Sequence, residues 1–216
     1  MLRLAAVALA ALALTLQPAN AQRYGEPGEF DFYVLSLSWS PSYCDSAGQR
    51  ADPSQCRAQK PLHFVVHGFW PQYDRGFPAD CAYNAPRVSE QTIRELREIM
   101  PSRGLVIYQW RKHGTCSGLS PDKYFGLLRQ AFDKVKIPPQ FSQVTKWQTV
   151  SPPEVENAFR TANPGLSADM ISVTCDRKNL REVRICMSKD LQFRSCPQVD
   201  RQACRNPRVS LPPVRG

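Results

Sequence analysis

The chain contains three histidines, His63, His67 and His113, so any pair of imidazoles acting as acid and base must come from these. Two of them share a local pattern. His67 is followed by Gly68, with Trp70 close behind; His113 is preceded by Lys112, followed by Gly114, and has Trp110 just upstream. A missing side chain beside a histidine lets a substrate approach the backbone, so the two His-Gly steps read as halves of one site. His63 has neither a glycine nor a cation next to it and reads as a hydrogen-bonded structural residue.

The chemistry such a set suits is displacement at phosphorus. An RNA 2′-hydroxyl becomes a nucleophile when a base near neutrality takes its proton, and the departing 5′-oxygen needs an acid; two imidazoles in opposite protonation states supply both. The pentavalent phosphorane between these steps carries extra negative charge, which a fixed ammonium such as Lys112 stabilises. DNA has no 2′-hydroxyl and cannot react by this route. No dense carboxylate cluster that would hold a divalent ion is visible, so neither a metal nor another cofactor is expected.

The elements that must hold these residues are interspersed without regular alternation, which points to an α+β fold. Strands are expected where the period falls to two or a short apolar run is β-rich: Phe30 to Leu37, Phe64 to Val66, Ile171 to Thr174 and Val183 to Met187. The first histidine then lies at the end of a strand, turned away by Pro71. Three stretches read as helices. One runs from Pro86 to Met100. A second opens at Ser120-Pro121, with Tyr124, Leu127, Leu128, Ala131, Phe132 and Val135 on one face; the third opens at Ser151-Pro152 and ends at Asn163-Pro164-Gly165. The tail from Asn206 to Gly216, with three prolines, reads as a loosely packed end.

Residues 1–21 carry Arg3, an apolar run from Leu4 to Leu16 and Ala19-Asn20-Ala21 in the small-x-small pattern of a signal-peptidase site. They read as a cleaved export signal, leaving residues 22–216 as one domain in the periplasm or outside the cell. No later stretch is long and apolar enough to span a bilayer, so no membrane partner is expected. The formal net charge is +9, with 28 Lys and Arg against 19 Asp and Glu. A basic exported protein has anionic polymers such as nucleic acid within reach. All eight cysteines follow the cleavage site and none forms a C-x-x-C pair, so four disulfides are expected, in any of ~105 pairings.

The segments "HGFWPQ" and "YQWRKHGTCSG" resemble the two active-site segments of the ribonuclease T2 family. The likeness extends to "FDFYVLSLSWSPSYC", similar to the family's first strand and the cysteine after it, and to "EVRICMSKDLQFRSC", similar to its C-terminal strand pair. The resemblance implies a disulfide-stapled α+β domain with a central antiparallel sheet. It also implies a metal-independent endoribonuclease that cuts single-stranded RNA through a 2′,3′-cyclic phosphate; a monomer that leaves DNA intact is expected. Carried over by position, His113 is the base toward the 2′-hydroxyl, His67 the acid at the leaving oxygen, and Lys112 the cation on the phosphorane. Trp70 lines the base site, with Tyr108 and Gln72 as further substrate contacts. The implied bridges join Cys44 to Cys56, Cys81 to Cys116, Cys175 to Cys204 and Cys186 to Cys196.

One departure stands out. Most members of that family carry a glutamate four residues before the second catalytic histidine, the position of His113 here, whereas this chain has Gln109, preceded by Tyr108. An amide keeps a hydrogen-bond donor and loses the carboxylate's charge. That predicts a slower enzyme, and admits a second reading in which a catalytically impaired relative binds RNA or another polyanion. A metal-dependent phosphodiesterase is disfavoured for want of ligands.

Overall fold

A computed structural model describes residues 25–214; the expected export signal lies outside them. The core is a four-stranded antiparallel sheet in the order β2-β1-β5-β4, formed by β1 (Phe32–Trp39), β2 (Phe64–Gln72), β4 (Ile171–Cys175) and β5 (Leu180–Met187). A short pair, β3 (Gln148–Val150) with β6 (Val209–Leu211), lies apart. The helices are α1 (Ser40–Ala47), α2 (Pro53–Cys56), α3 (Glu90–Leu96), α4 (Arg103–Lys112), α5 (Pro121–Lys134), α6 (Pro152–Ala162) and α7 (Pro197–Asp200).

Strand β1 is the centre of the design because its two faces differ. Tyr33, Leu35, Leu37 and Trp39 enter the main core with Phe64, Val66 and Phe69 of β2 and Val183, Ile185 and Met187 of β5. Each large side chain so buried contributes roughly 1.5–3 kcal/mol. The alternate positions, Phe32, Val34, Ser36 and Ser38, line the other face. Toward one end of it Phe32 and Val34 pack with Cys186, Cys196 and Val199 in a smaller apolar cluster. Toward the other end the two serines leave the face low, and the functional residues gather over them.

The expected helix at Ser120 and the one at Ser151 form as α5 and α6. Ser120 caps the first through the Lys123 N–H, and Ser151 and Glu154 cap the second reciprocally. Other expectations need correcting. The helix expected over Pro86–Met100 shortens to α3, because Ser89 caps it late and the Ile99 carbonyl turns back to accept from the Val66 N–H at 2.7 Å. Strand β2 runs six residues past Val66, through Pro71. It is an edge strand, where a residue without an N–H is tolerated. The tail is packed: Val209 and Leu211 are buried, and the Trp39 indole donates to the Pro212 carbonyl at 3.0 Å.

The four disulfides join Cys44–Cys56, Cys81–Cys116, Cys175–Cys204 and Cys186–Cys196, the pairs the family resemblance implies. Among the described residues no helix is long and apolar enough to cross a membrane.

Candidate active site

His67 occupies a β-bulge inside β2. The β1 register steps from Ser36↔Gly68 to Leu37↔Val66, so His67 is the extra residue. A bulge frees a side chain from strict alternation and re-aims it. Here it points the imidazole toward Glu182 of β5, whose cross-strand partner on β1 is Ser38. His67 Nδ1 lies 2.6 Å from Glu182 Oε1. The second carboxylate oxygen accepts from Arg184, with Nε at 2.9 Å and Nη2 at 2.8 Å. Glu182 is 5% exposed. Its burial opposes ionisation, but the hydrogen bond and charge of His67, with Arg184, outweigh it and hold the carboxyl down at about 2.

His113 arrives from the opposite direction, at the C-cap of α4. Ser102 starts that helix by accepting from the Leu105 N–H, and Val106, Gln109 and Trp110 are its buried positions. Helix α4 and the 3-10 turn after it pack against β2. The Cys81–Cys116 bridge and the Asp80 N–H to Lys112 carbonyl bond (2.8 Å) tie the preceding loop to the helix end. His113 is buried, and its Nδ1 has no hydrogen-bond partner among the described residues. An imidazolium there would hold a buried N–H without an acceptor. Burial first, then the charges of Lys112 and His67, push His113 down to about 3.

Trp70 joins the two halves. Its ring centroid is 5.5 Å from that of His67 and 5.5 Å from that of His113, and its indole N–H donates to Gln109 Oε1 at 2.7 Å. The Arg184 guanidinium lies over the same ring at 5.2 Å. Trp70 is thus a wall against which both imidazoles rest. Gln109 is 1% exposed. Because its oxygen is committed to Trp70, the amide NH2 is the end left for other partners.

The glycines after both histidines are explained by this packing rather than by substrate approach. A Cβ on Gly68 would overlap the Trp70 indole and lie 2.5 Å from Gln109 Oε1; one on Gly114 would press on the Trp110 and Tyr124 rings. Lys112 sits at the rim, its ammonium 5.8 Å from the centroid of the half-exposed Tyr108 ring. Gln72 stands two residues beyond Trp70 on β2 and donates to its own neighbour, the Pro71 carbonyl, at 3.0 Å. His63 stands apart, its Nδ1 accepting from the Phe64 N–H at 2.8 Å. Beside His67 and Glu182 a cavity of about 290 Å³ opens, lined in part by Ser38, Tyr43, Ser102, Leu105 and Arg181. No group of three or more His, Cys, Asp or Glu residues suited to a metal ion occurs among the described residues.

A model of the ribonuclease T2 family matches residues 30–196, which include both histidine segments and β5. The chain belongs to the ribonuclease T2 family. It is 38% identical over 173 residues to a ribonuclease of Aeromonas hydrophila, covering 78% of this chain and 77% of that protein. It is 28% identical over 229 residues to ribonuclease I of Escherichia coli K12, covering 84% and 85%. Among solved structures, an RNase-related protein from Calystegia sepium superposes with a TM-score of 0.69 at 23% identity, over 87% of this chain and 99% of that one. The antiparallel sheet with flanking helices is therefore the T2 fold.

Within that fold the structure brings together His67, His113, Lys112, Gln109 and Trp70, drawn from β2 and α4. It adds two residues that the sequence reading does not single out, Glu182 and Arg184. Their signal is present in the sequence: an acid and a base two apart on a strand whose alternate positions are Val183 and Ile185 mark a face that is neither core nor plain surface.

Proposed function

We propose that the protein is an endoribonuclease that cleaves single-stranded RNA by 2′-hydroxyl attack, without a metal. The observation that carries this reading is that two imidazoles resting on one indole are held in opposite electrostatic settings. His113 is buried beside a cation and stays neutral, as a base must be. His67 rests instead on the ionised Glu182 carboxylate, 2.6 Å from its Nδ1, which orients the ring as an acid requires.

In the first step His113 takes the 2′-hydroxyl proton, the 2′-oxygen bonds to phosphorus, the bond to the 5′-oxygen breaks, and His67 protonates that oxygen. In the second, His67 takes a proton from water, the water oxygen bonds to phosphorus, the 2′-oxygen leaves, and His113 returns its proton. A 3′-phosphate results. Lys112 neutralises the phosphorane, and the Gln109 amide donates to a phosphoryl oxygen. A bound phosphate also offsets the Lys112 charge that weakens His113 as a base in the free protein. The leaving nucleoside lies on the acid's side, so the cavity beside His67 takes its base. Trp70 shapes the cleft, and Tyr108 flanks the phosphate path. Residues 1–21 act as an export signal, and four disulfides suit the oxidising compartment beyond.

The test is incubation of the purified protein with single-stranded RNA and with DNA in excess EDTA, followed by analysis of the product ends. Cleavage of RNA only, with 2′,3′-cyclic ends, is the expected result. Cleavage abolished by EDTA, or retention of RNA without cleavage, overturns the reading; the latter outcome would leave a polyanion-binding family member, the alternative that Gln109 raises.

A further inference from the structure

We infer that Glu182 is the positioning residue of the acid: it fixes the His67 tautomer and holds its positive charge, with Arg184 as the clamp that keeps Glu182 in place. The inference rests on the roles proposed above for His67 and His113.

The geometry leaves Glu182 little freedom. It lies two strands away from His67, and its cross-strand partner on β1 is the small Ser38, which lines the same cavity as both. One carboxylate oxygen faces Nδ1 at 2.6 Å and the other is held by two guanidinium nitrogens. Arg184 is in turn anchored by Gln202 Oε1 at 3.3 Å and by the Trp70 ring beneath it. An ionised carboxylate accepts only, so Nδ1 carries a proton and Nε2 is the nitrogen that exchanges one with substrate. A carboxylate behind an imidazole performs two tasks: it selects the tautomer and stabilises the imidazolium.

The charged groups around His67 make the second task necessary. Arg184 on β5, Arg181 at the cavity, and Lys112 on α4 are all cationic, and His113 faces the same cleft. Glu182 is the acid in contact with the ring. Without it, His67 would lose the acid it contacts while Arg184 and Arg181 remain nearby.

A Glu182–Arg184 pair that merely stitched the sheet would predict a different outcome, and substrates with different leaving groups separate the two. A dinucleotide needs protonation of its leaving 5′-oxygen; a nucleoside 3′-(4-nitrophenyl phosphate) releases a phenolate that needs little. For Glu182→Gln we expect turnover of the dinucleotide to fall on the order of 10²-fold, the lower part of the range for general acid catalysis. The loss on the nitrophenyl ester should be at least about tenfold smaller. The alkaline limb of the dinucleotide pH profile should move to lower pH. Equal losses on both substrates, with an unmoved limb, overturn the inference. If wild type cleaves neither substrate, the ribonuclease mechanism fails instead. Should Glu182→Gln not fold, nitrogen NMR of the wild-type histidines decides: a proton on His67 Nδ1 with Nε2 titrating supports the inference, and a neutral Nε2–H tautomer overturns it.

Discussion

Replacing His113 with phenylalanine should make the fold markedly less sensitive to acid. The imidazole is only 9% exposed and is held down to about 3 from an ordinary 6.5 by burial and by the charges of Lys112 and His67. Below pH 6.5 the unfolded chain therefore takes up a proton at this position that the folded protein refuses. Stability is fully present above 6.5 and is lost as pH falls toward 3. At about 1.4 kcal/mol per tenfold difference in proton affinity, the full loss is on the order of 5 kcal/mol, of which about 3 kcal/mol is gone by pH 4. The loss is large against a typical domain stability of ~5–15 kcal/mol.

Phenylalanine keeps a ring against Trp70 and Phe77 and removes the titration. Urea unfolding followed by tryptophan fluorescence at pH 7 and pH 4 measures the difference. Wild type should lose about 3 kcal/mol more than His113→Phe over that interval. Glu182 acts in the same sense and lower down. Its carboxyl, depressed to about 2 from 4.5, contributes stability above 4.5 that is lost as pH falls through 2. Its loss by pH 4 is under about 1 kcal/mol and is common to both proteins, so it cancels. Parallel losses in the two proteins would show that His113 is not held neutral by the fold, and the assignment of His113 as the base would lose its electrostatic footing.

Two further predictions concern the contact between the halves of the site. Gln109→Glu keeps an acceptor for the Trp70 indole and restores a titratable group; cleavage should rise, by at most about 10²-fold given the worth of one such donor, with an altered pH profile. Equal cleavage by both proteins across about pH 4 to 8 would remove Gln109 from the site. Gly68→Ala forces Trp70 and Gln109 apart and should lower stability by about 1–3 kcal/mol together with activity; lost activity at unchanged melting temperature would instead support a glycine kept for substrate approach.

How much of this was legible in the sequence depends on the range of the interactions concerned. Local signals placed α5 and α6 well, because serine caps and proline at the first helical position act within one turn. The expected strands over β1, β4 and β5 follow from their apolar content, and the two histidine segments stand out by residue type alone. Helix α4, which carries half the site, is absent from the sequence reading. Its run Gly104-Leu105-Val106-Ile107-Tyr108 has a glycine and β-branched residues that weaken a helix locally. It forms because Ser102 caps it and because Val106 and Trp110 are buried against the rest of the core. The bulge at His67 and the pairing of Glu182 with it were also out of reach. The bulge depends on the register of β2 against β1 and the pairing on bringing together residues 115 apart in the chain, which no local pattern encodes.

On the proposed mechanism, that long-range placement sorts two chemically identical side chains into different jobs. His67 and His113 each precede a glycine and rest on the same tryptophan; the local sequence separates the proposed base from the proposed acid by Lys112 and gives no geometric reason for the assignment. The sheet supplies it. β5 brings a buried carboxylate to His67, while the end of α4 buries His113 with its Nδ1 unpartnered among the described residues. The absence of the glutamate expected at position 109 then has a definite consequence. An acid at that position would stand between the two imidazoles, bonded to Trp70, and its charge would favour the protonated form of the buried His113. With Gln109 there, the negative charge of the site is concentrated at Glu182, on the His67 side, and the difference between the two histidines is increased at the expense of base strength.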